Sequence, residues 1–598
     1  MKKCNLLIIL TLILNIGICQ VPYLVKNIHP SFGTSSYPDN LTNVNGTLFF
    51  SANDGSHGYE LWKSNGTTAG TVMVKDLVPG GTGNPSIRGF INVNGTLFFE
   101  TKVGKELWKS DGTTVGTDTV ITFPTIGSLI KESFISFNNS LFFVVANGST
   151  HELWKSGGTT ATTTMIKSFT PSSGLGIDYE SIIIFNNELY FTANNGTIGK
   201  EIWKSNGTTS GTVPLKDINP GSSDGVPWAS YGFFTEVNNE LFFIGDNGTN
   251  GEELWKTDGT TIGTIIVKDI RIGASGSGIN KQTKVGDKLY FTVFISGNNS
   301  LWISDGTSSG TVKLTDISYI DNLMELDSAT LIFTHKTTAL GNELWISNGT
   351  TLGTKLLKDI NPGSSNGIYS NYALFLNING TLFFKGDDPI HGEELWKTDG
   401  TDTGTLLVKD ITPGSGRGFN NNSEHFFEAN GLLFFDGVSQ YGGTNTELWQ
   451  SDGTDTGTIR HNIDTNGGGS HPRKFTLIDT TLFFTANDKF KGIELYAIHV
   501  DTIVTTSGGS GGGGSTSIFE KQKQINITLF PNPTSGKIRV KGVKNYNSLI
   551  YIMDINGKIL KKELLQNEII NLENLSKGMY FISFDQGGKR IVKKVILE

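Results

Sequence analysis

Apolar residues in this chain fall in short dense clusters rather than long helical stripes. Leu48-Phe49-Phe50 and Leu241-Phe242-Phe243 are each bounded by turn residues, and Leu61-Trp62 sits in a similar short run. Runs of this length between Gly, Asn and Asp read as strands. Around Leu241 the pattern predicts four of them. The first, over 232–237, ends at Asn238-Asn239, and the second holds Leu241 to Phe243. After a loop from Asp246 to Gly251, the third runs from Glu252 to Thr257; Asp258-Gly259-Thr260 then turns the chain into a fourth at 265–270. Elsewhere the first turn is Asn45-Gly46 or Asn94-Gly95, the dipeptide that best satisfies a tight hairpin. Adjacent large side chains such as Leu61-Trp62 would leave one exposed if a single sheet face were buried. They are expected where both faces pack.

The four-strand pattern repeats. Trp62, Trp108, Trp154, Trp203, Trp255, Trp302, Trp345, Trp396 and Trp449 recur at spacings of 43 to 53 residues, most inside the phrase Glu-Leu-Trp-Lys-Ser/Thr-Asp/Asn-Gly-Thr. A tenth copy survives as Glu494-Leu495-Tyr496. The tryptophans are therefore expected to be repeat core. Four antiparallel strands in about fifty residues make one propeller blade. The last copy lacks a fourth strand, while Tyr23-Leu24-Val25-Lys26-Asn27-Ile28 matches Ile266-Val267-Lys268-Asp269-Ile270 and precedes any first strand. An N-terminal strand that completes the final blade would close a ring and cover its sheet edges. The expected fold is thus all-β: a β-propeller of about ten four-stranded blades over residues 20–500. One ring accounts for the single offset, and two five-bladed rings remain an alternative.

The ends carry different signals. Lys2 and Lys3, the apolar run from Leu6 to Ile16, and Gly17-Ile18-Cys19 read as a signal peptide over 1–19, cleaved near Cys19/Gln20. Both cysteines, Cys4 and Cys19, fall inside it, so no thiol or disulfide is expected in the exported chain, nor any transmembrane segment. A Gly/Ser-rich linker occupies 501–524, and 525–598 forms a second, small β-sandwich-like domain. Of 598 residues, 75 are glycine and only 17% are charged, which suits many short strands and turns. Residues 525–598 carry 12 basic against 6 acidic groups. Removing that +6 and the two leader lysines from the total of −8 leaves −16 on residues 21–500, which argues against a nucleic-acid partner.

The repeated phrase, with its trailing Val-Lys-Asp-Ile-x-Pro-Gly, resembles the ELWxxDGT repeat family of secreted bacterial proteins. In the tail, Leu529-Phe530-Pro531-Asn532-Pro533, Met553-Asp554-Ile555-Asn556-Gly557, Gly578-Met579-Tyr580-Phe581 and a final basic strand resemble the type A C-terminal sorting domain of the type IX secretion system. The resemblance implies the secretion machinery as a partner, delivery to the medium or outer cell surface, and a source among the Bacteroidetes. Pro531, Asn532, Pro533, Asp554, Asn556, Gly557, Gly578 and Tyr580 carry that motif.

Candidate chemistry is sparse. Asp76, Asp217, Asp269, Asp359 and Asp410 recur at one strand end before a Pro-Gly-type turn, where a carboxylate caps a turn more readily than it serves as an acid or base. The loops at Asn53-Asp54-Gly55, Asp246-Asn247-Gly248 and Asp387-Asp388 invite calcium but lack the alternating Asp spacing that surrounds one ion. His57 and His391 occupy equivalent loop sites that hold Val103, Ser149 and Ile198 in other units, so no shared metal or catalytic role is expected. No catalytic triad order or phosphate loop stands out, and no cofactor is expected. The reading is a binding, interaction or adhesive protein for an extracellular glycan or protein, not an enzyme. The alternative is a polysaccharide hydrolase or lyase with its site in the propeller channel.

Overall fold

The computed structural model describes residues 21–500 except 82, 124–126, 172–173, 228–233, 318, 370–373, 420–425, 439–444 and 466. Beyond them it describes 528–530, 536–541, 549–553, 559–565, 569–572, 574–586 and 589–597. The expected signal peptide and the linker lie outside the described residues. The chain divides into two compact units after Ile503.

Among the described residues of the first unit, ten four-stranded antiparallel sheets follow one another along the chain. Blade 1 consists of Asp39–Val44, Thr47–Asn53, Tyr59–Ser64 and Val72–Lys75, in that spatial order. Blades 2 to 9 repeat the order over 88–122, 128–169, 177–216, 235–268, 279–316, 320–358, 375–409 and 426–461. Blade 10 has only three strands of its own, Arg473–Ile478, Thr481–Asp488 and Gly492–His499. Its fourth is Tyr23–Lys26, which runs antiparallel to Gly492–His499 with Leu24 opposite Tyr496. The predicted closure is therefore present.

Each sheet buries both faces. Leu48, Phe50 and Trp62 pack with Val25, Phe483 and Leu495 of blade 10. Phe49 and Leu61, from the same strands, pack with Leu97 and Phe99 of blade 2. Equivalent cores join every other consecutive pair up to blades 9 and 10. Ten blades with ten junctions, the last returning to blade 1, form one ring. Two rings of five would require blade 5 to meet blade 1, whereas its Phe242 and Leu254 meet Leu289 and Phe291 of blade 6. First strands of neighbouring blades lie side by side around the axis, as Asp39–Val44 does between Arg88–Val93 and Arg473–Ile478.

The repeated phrase stitches this ring together. In blade 1, Asn65 Oδ1 accepts from Thr67 N and Thr67 Oγ1 at 3.1 and 2.8 Å, and Ser64 Oγ meets Thr71 Oγ1 at 2.7 Å, which closes the turn on itself. Thr68 Oγ1 then donates to Val25 O of the preceding blade at 2.8 Å, and Lys26 Nζ returns a bond to Thr71 O at 2.8 Å. The same exchange recurs, as in Thr114 to Val74 O with Lys75 to Thr117 O, and Thr261 to Leu215 O with Lys216 to Thr264 O. Small residues make room for the tryptophans: a Cβ at Gly245, Gly386 or Gly437 would fall within 2.8 Å of the ring of Trp255, Trp396 or Trp449.

The described residues of the second unit form two sheets: Thr528–Phe530, Lys537–Lys541 and Ile569–Asn571 in one, and Ile559–Leu564, Leu549–Met553, Gly578–Gln586 and Lys589–Leu597 in the other. Ile538, Val540 and Ile570 of the first share one core with Ile550, Ile552, Ile582 and Val595 of the second, a small β-sandwich. No described helix is long and apolar enough to cross a membrane.

Candidate functional site

The strand order gives the ring two unlike faces. One carries the Asn-Gly hairpins and the Asp-Gly-Thr turns, and the inter-blade bonds described above lie on it. The other carries the loops between second and third strands and the connections to the next blade, and these vary from unit to unit. Asn45 and Gly46, with φ of 49° and 82°, show why the first face tolerates little variation: both positions need the left-handed region.

In blades 1, 4, 5 and 7 to 10 the variable face is anchored from below by the glutamate of the phrase. Glu343 accepts from Ile360 N at 2.7 Å and Gly367 N at 2.6 Å, and Glu394 from Ile411 N and Thr412 N at 2.8 and 3.1 Å. Glu494 holds the N-terminal connection through Ile28 N at 3.0 Å and Ser36 Oγ at 2.6 Å. Burial pushes these carboxyls up, Glu201, Glu343 and Glu394 to about 8 and Glu60 and Glu494 to about 7. In blades 2 and 3 the glutamate turns instead to its own tryptophan, Trp108 Nε1 to Glu106 at 3.0 Å and Trp154 Nε1 to Glu152 at 2.9 Å. Ser300 takes that part for Trp302 in blade 6.

The tryptophans differ in burial. Trp62, Trp203, Trp255, Trp396 and Trp449 are buried. Trp108, Trp154, Trp302 and Trp345 are half-buried against the same blade junctions. Asp76 caps its turn through Val78 N at 3.1 Å, and Asp269 accepts from Asn250 Nδ2 at 2.7 Å. The loop oxygens considered for calcium are turned inward. Asp54 Oδ1 accepts from Ser56 N and His57 N, both at 2.8 Å, and its Oδ2 meets His57 Nδ1 at 2.7 Å; Asp388 repeats this with Ile390 and His391. His57 and His391 are thus loop clips. No group of three or more His, Cys, Asp or Glu placed to hold a metal ion occurs among the described residues. Of the tail motif, Pro531, Asn532, Pro533, Asp554, Asn556 and Gly557 lie outside the described residues. Gly578 opens a strand, and Tyr580 is buried with its hydroxyl donating to Ser576 O at 2.5 Å.

Two features of the variable face escape the repeat. The residue before the phrase glutamate pairs with a connection residue 24 positions on, by different chemistry in different blades. Lys200 N donates to Asp224 Oδ1 at 2.6 Å, Asn342 N to Asn366 Oδ1 at 3.0 Å, and the main chains of Glu393 and Arg417 form a parallel β-bridge. At blades 8 and 9 this grows into a charged cluster. The buried Lys385 ammonium lies 3.5 Å from Glu393 and 5.5 Å from the Phe419 ring centre, and Arg417 lies over the half-exposed Tyr369. Burial lowers Lys385 and raises Glu393 and Asp387.

The second feature is an open cleft of about 440 Å³ where the ring closes. Ser35, Asp464, Asn487 and Lys489 line it together with four glycines, Gly467 and Gly468 among them. Three segments meet there: the N-terminal connection, the connection from blade 9, and the second loop of blade 10. Gly33 N donates to Phe490 O at 2.8 Å and Asn487 N to Ser470 O at 2.7 Å, which fixes their spacing. Phe32 and Phe490, next in sequence to lining residues, stand out from the surface 79% and 46% exposed, ring centres 5.6 Å apart. The repeat periodicity pointed to none of these residues. The available signal was departure from it: Phe490 stands where other units carry Ser56 or Ile390.

Comparison with known proteins identifies one part of the chain. Residues 528–598 match the secretion system C-terminal sorting domain. No curated protein sequence matches. Among solved structures, the chain is similar to PorZ, a surface component of the type IX secretion system of Porphyromonas gingivalis, at 12% identity over 93% of this chain and 81% of that one, with a TM-score of 0.29. It is also similar to oligopeptidase B from Leishmania major (10% identity, 60% and 53% coverage, TM-score 0.31) and to an oligogalacturonate lyase in complex with manganese (13%, 52% and 86%, 0.28).

Proposed function

We propose that this protein is a secreted or surface-attached binding module, exported by the type IX secretion system through residues 528–598, whose ring presents its variable face to an extracellular glycan or protein. The contrast between the two faces carries the reading. One carries the recurring inter-blade bonds of the repeated phrase, and the other holds irregular loops that in most blades rest on a buried glutamate, the arrangement by which stable scaffolds display binding residues. In this proposal the repeated phrase is the ground for the ELWxxDGT family, the leader is removed near Cys19/Gln20, and the source is a member of the Bacteroidetes. Deleting 528–598 tests the export half: the truncated chain is expected to accumulate in the periplasm, and its normal appearance outside the cell would refute that half.

A second reading, a polysaccharide hydrolase or lyase, draws on the Lys385, Asp387, Glu393, Arg417 cluster, where burial shifts both an amine and carboxyls toward neutrality as acid–base chemistry requires. Release of reducing sugar by the purified chain, lost in Glu393→Gln, would establish it.

A further inference from the structure

We infer that the cleft at the ring closure is a saccharide-binding site; the inference rests on the surface-binding reading and names its site and ligand class. Its size falls in the range of small-molecule clefts, about 300–1,000 Å³. Four glycines among its lining residues leave the main chain bare of side chains, so a ligand can approach the backbone closely, although the N–H groups of Gly33, Gly467 and Gly468 already bond Phe490 and Asp464. The other lining residues carry a hydroxyl, a carboxylate, an amide and an ammonium, a mixture of donors and acceptors on one small surface; Ser35 Oγ also accepts from Ile493 N at 2.8 Å and Asp464 Oδ2 from Gly468 N at 3.2 Å. A polyhydroxylated ligand, which donates and accepts at every hydroxyl, uses such a mixture; with one carboxylate and one ammonium in its lining, the cleft has no net charge with which to select a simple ion.

The aromatic pair supplies the second half. Phe32 and Phe490 place two large apolar rings side by side in water, without any core to fill. Rings so exposed are expensive unless something covers them. The C–H faces of a pyranose do so while its hydroxyls reach the cleft. The pair arises only because closure brings the first and last parts of the ring together, and the main-chain bond from Gly33 to Phe490 holds it. With −16 on residues 21–500, a neutral saccharide is favoured over an acidic one.

The test uses the purified full chain against immobilised xylan, mannan and arabinogalactan, with an outer-surface protein extract alongside. Phe32→Ala/Phe490→Ala and Asn487→Ala are compared with wild type, and melting temperatures confirm folding. Retention of wild type on at least one polysaccharide, weakened about tenfold or more in the double variant at unchanged melting temperature, supports the inference. Equal retention of both overturns the site and leaves the surface-binding reading standing. Retention by the protein extract alone overturns the saccharide and leaves that reading standing. Retention by neither overturns both.

Discussion

Glu201→Gln isolates what a buried anchor does to the ring as pH changes. Glu201 is fully buried, accepts from Ile218 N at 3.1 Å and Asn219 N at 3.4 Å, and is pushed by burial from 4.5 to about 8. A carboxyl whose pKa is higher folded than unfolded holds its proton more tightly in the folded state. Its contribution is intact below about pH 4.5 and is lost as pH rises to about 8, because the unfolded chain ionises first. A shift of this size corresponds to roughly 5 kcal/mol between the two ends of the window. Glutamine keeps the shape and one acceptor but turns an amide N–H₂ toward a backbone donor, which costs about 1–2 kcal/mol at any pH. The variant should therefore be less stable than wild type at pH 5 and more stable at pH 8.5. Urea midpoints of both proteins at pH 5, 6.5 and 8.5 read the crossing directly. Parallel curves would refute the argument, since they would mean that Glu201 titrates alike folded and unfolded.

Other outcomes follow from the same geometry. Trp203→Ala, which empties a site where the indole is 2% exposed and 4.9 Å from Phe169, should cost about 3–5 kcal/mol. The half-buried Trp345→Ala should cost clearly less, both read by denaturant unfolding. Lys385→Met leaves Glu393 buried beside a lost cation and should destabilise by about 3 kcal/mol, while Lys385→Met/Glu393→Gln should recover most of it. Thr261→Val removes one inter-blade bond to Leu215 O and should cost about 1 kcal/mol, measured as a shift in melting temperature.

The fold was largely legible because its determinants are periodic. Leu61 and Trp62, adjacent in sequence, announced a sheet buried on both faces, and the stray match between Tyr23–Ile28 and Ile266–Ile270 announced the closure. The single offset also favoured one ring over two, but only the junction of blade 5 with blade 6 excludes the alternative. The glutamate anchors were visible only as repeated letters, since their partners are backbone N–H groups that leave no side-chain signature. Phe32 and Phe490 were invisible for a different reason: 458 residues separate them, and no local pattern relates positions that meet only when a circle is completed.

That circle also sets an order in time. Tyr23–Lys26 is made long before Arg473, where the rest of the blade it completes begins. At about 5–20 residues per second, synthesis of the intervening chain takes roughly 20–90 seconds. Nine blades can stack while that clock runs, but each end of the growing arc presents an uncovered wall, with Phe50 and Trp62 on the early one. Until the final blade arrives these walls are as ready to meet a neighbouring chain as each other. The protein is thus most vulnerable to mispairing just before it is finished, and a chaperone that shields the early wall would improve its yield more than any strengthening of the completed ring.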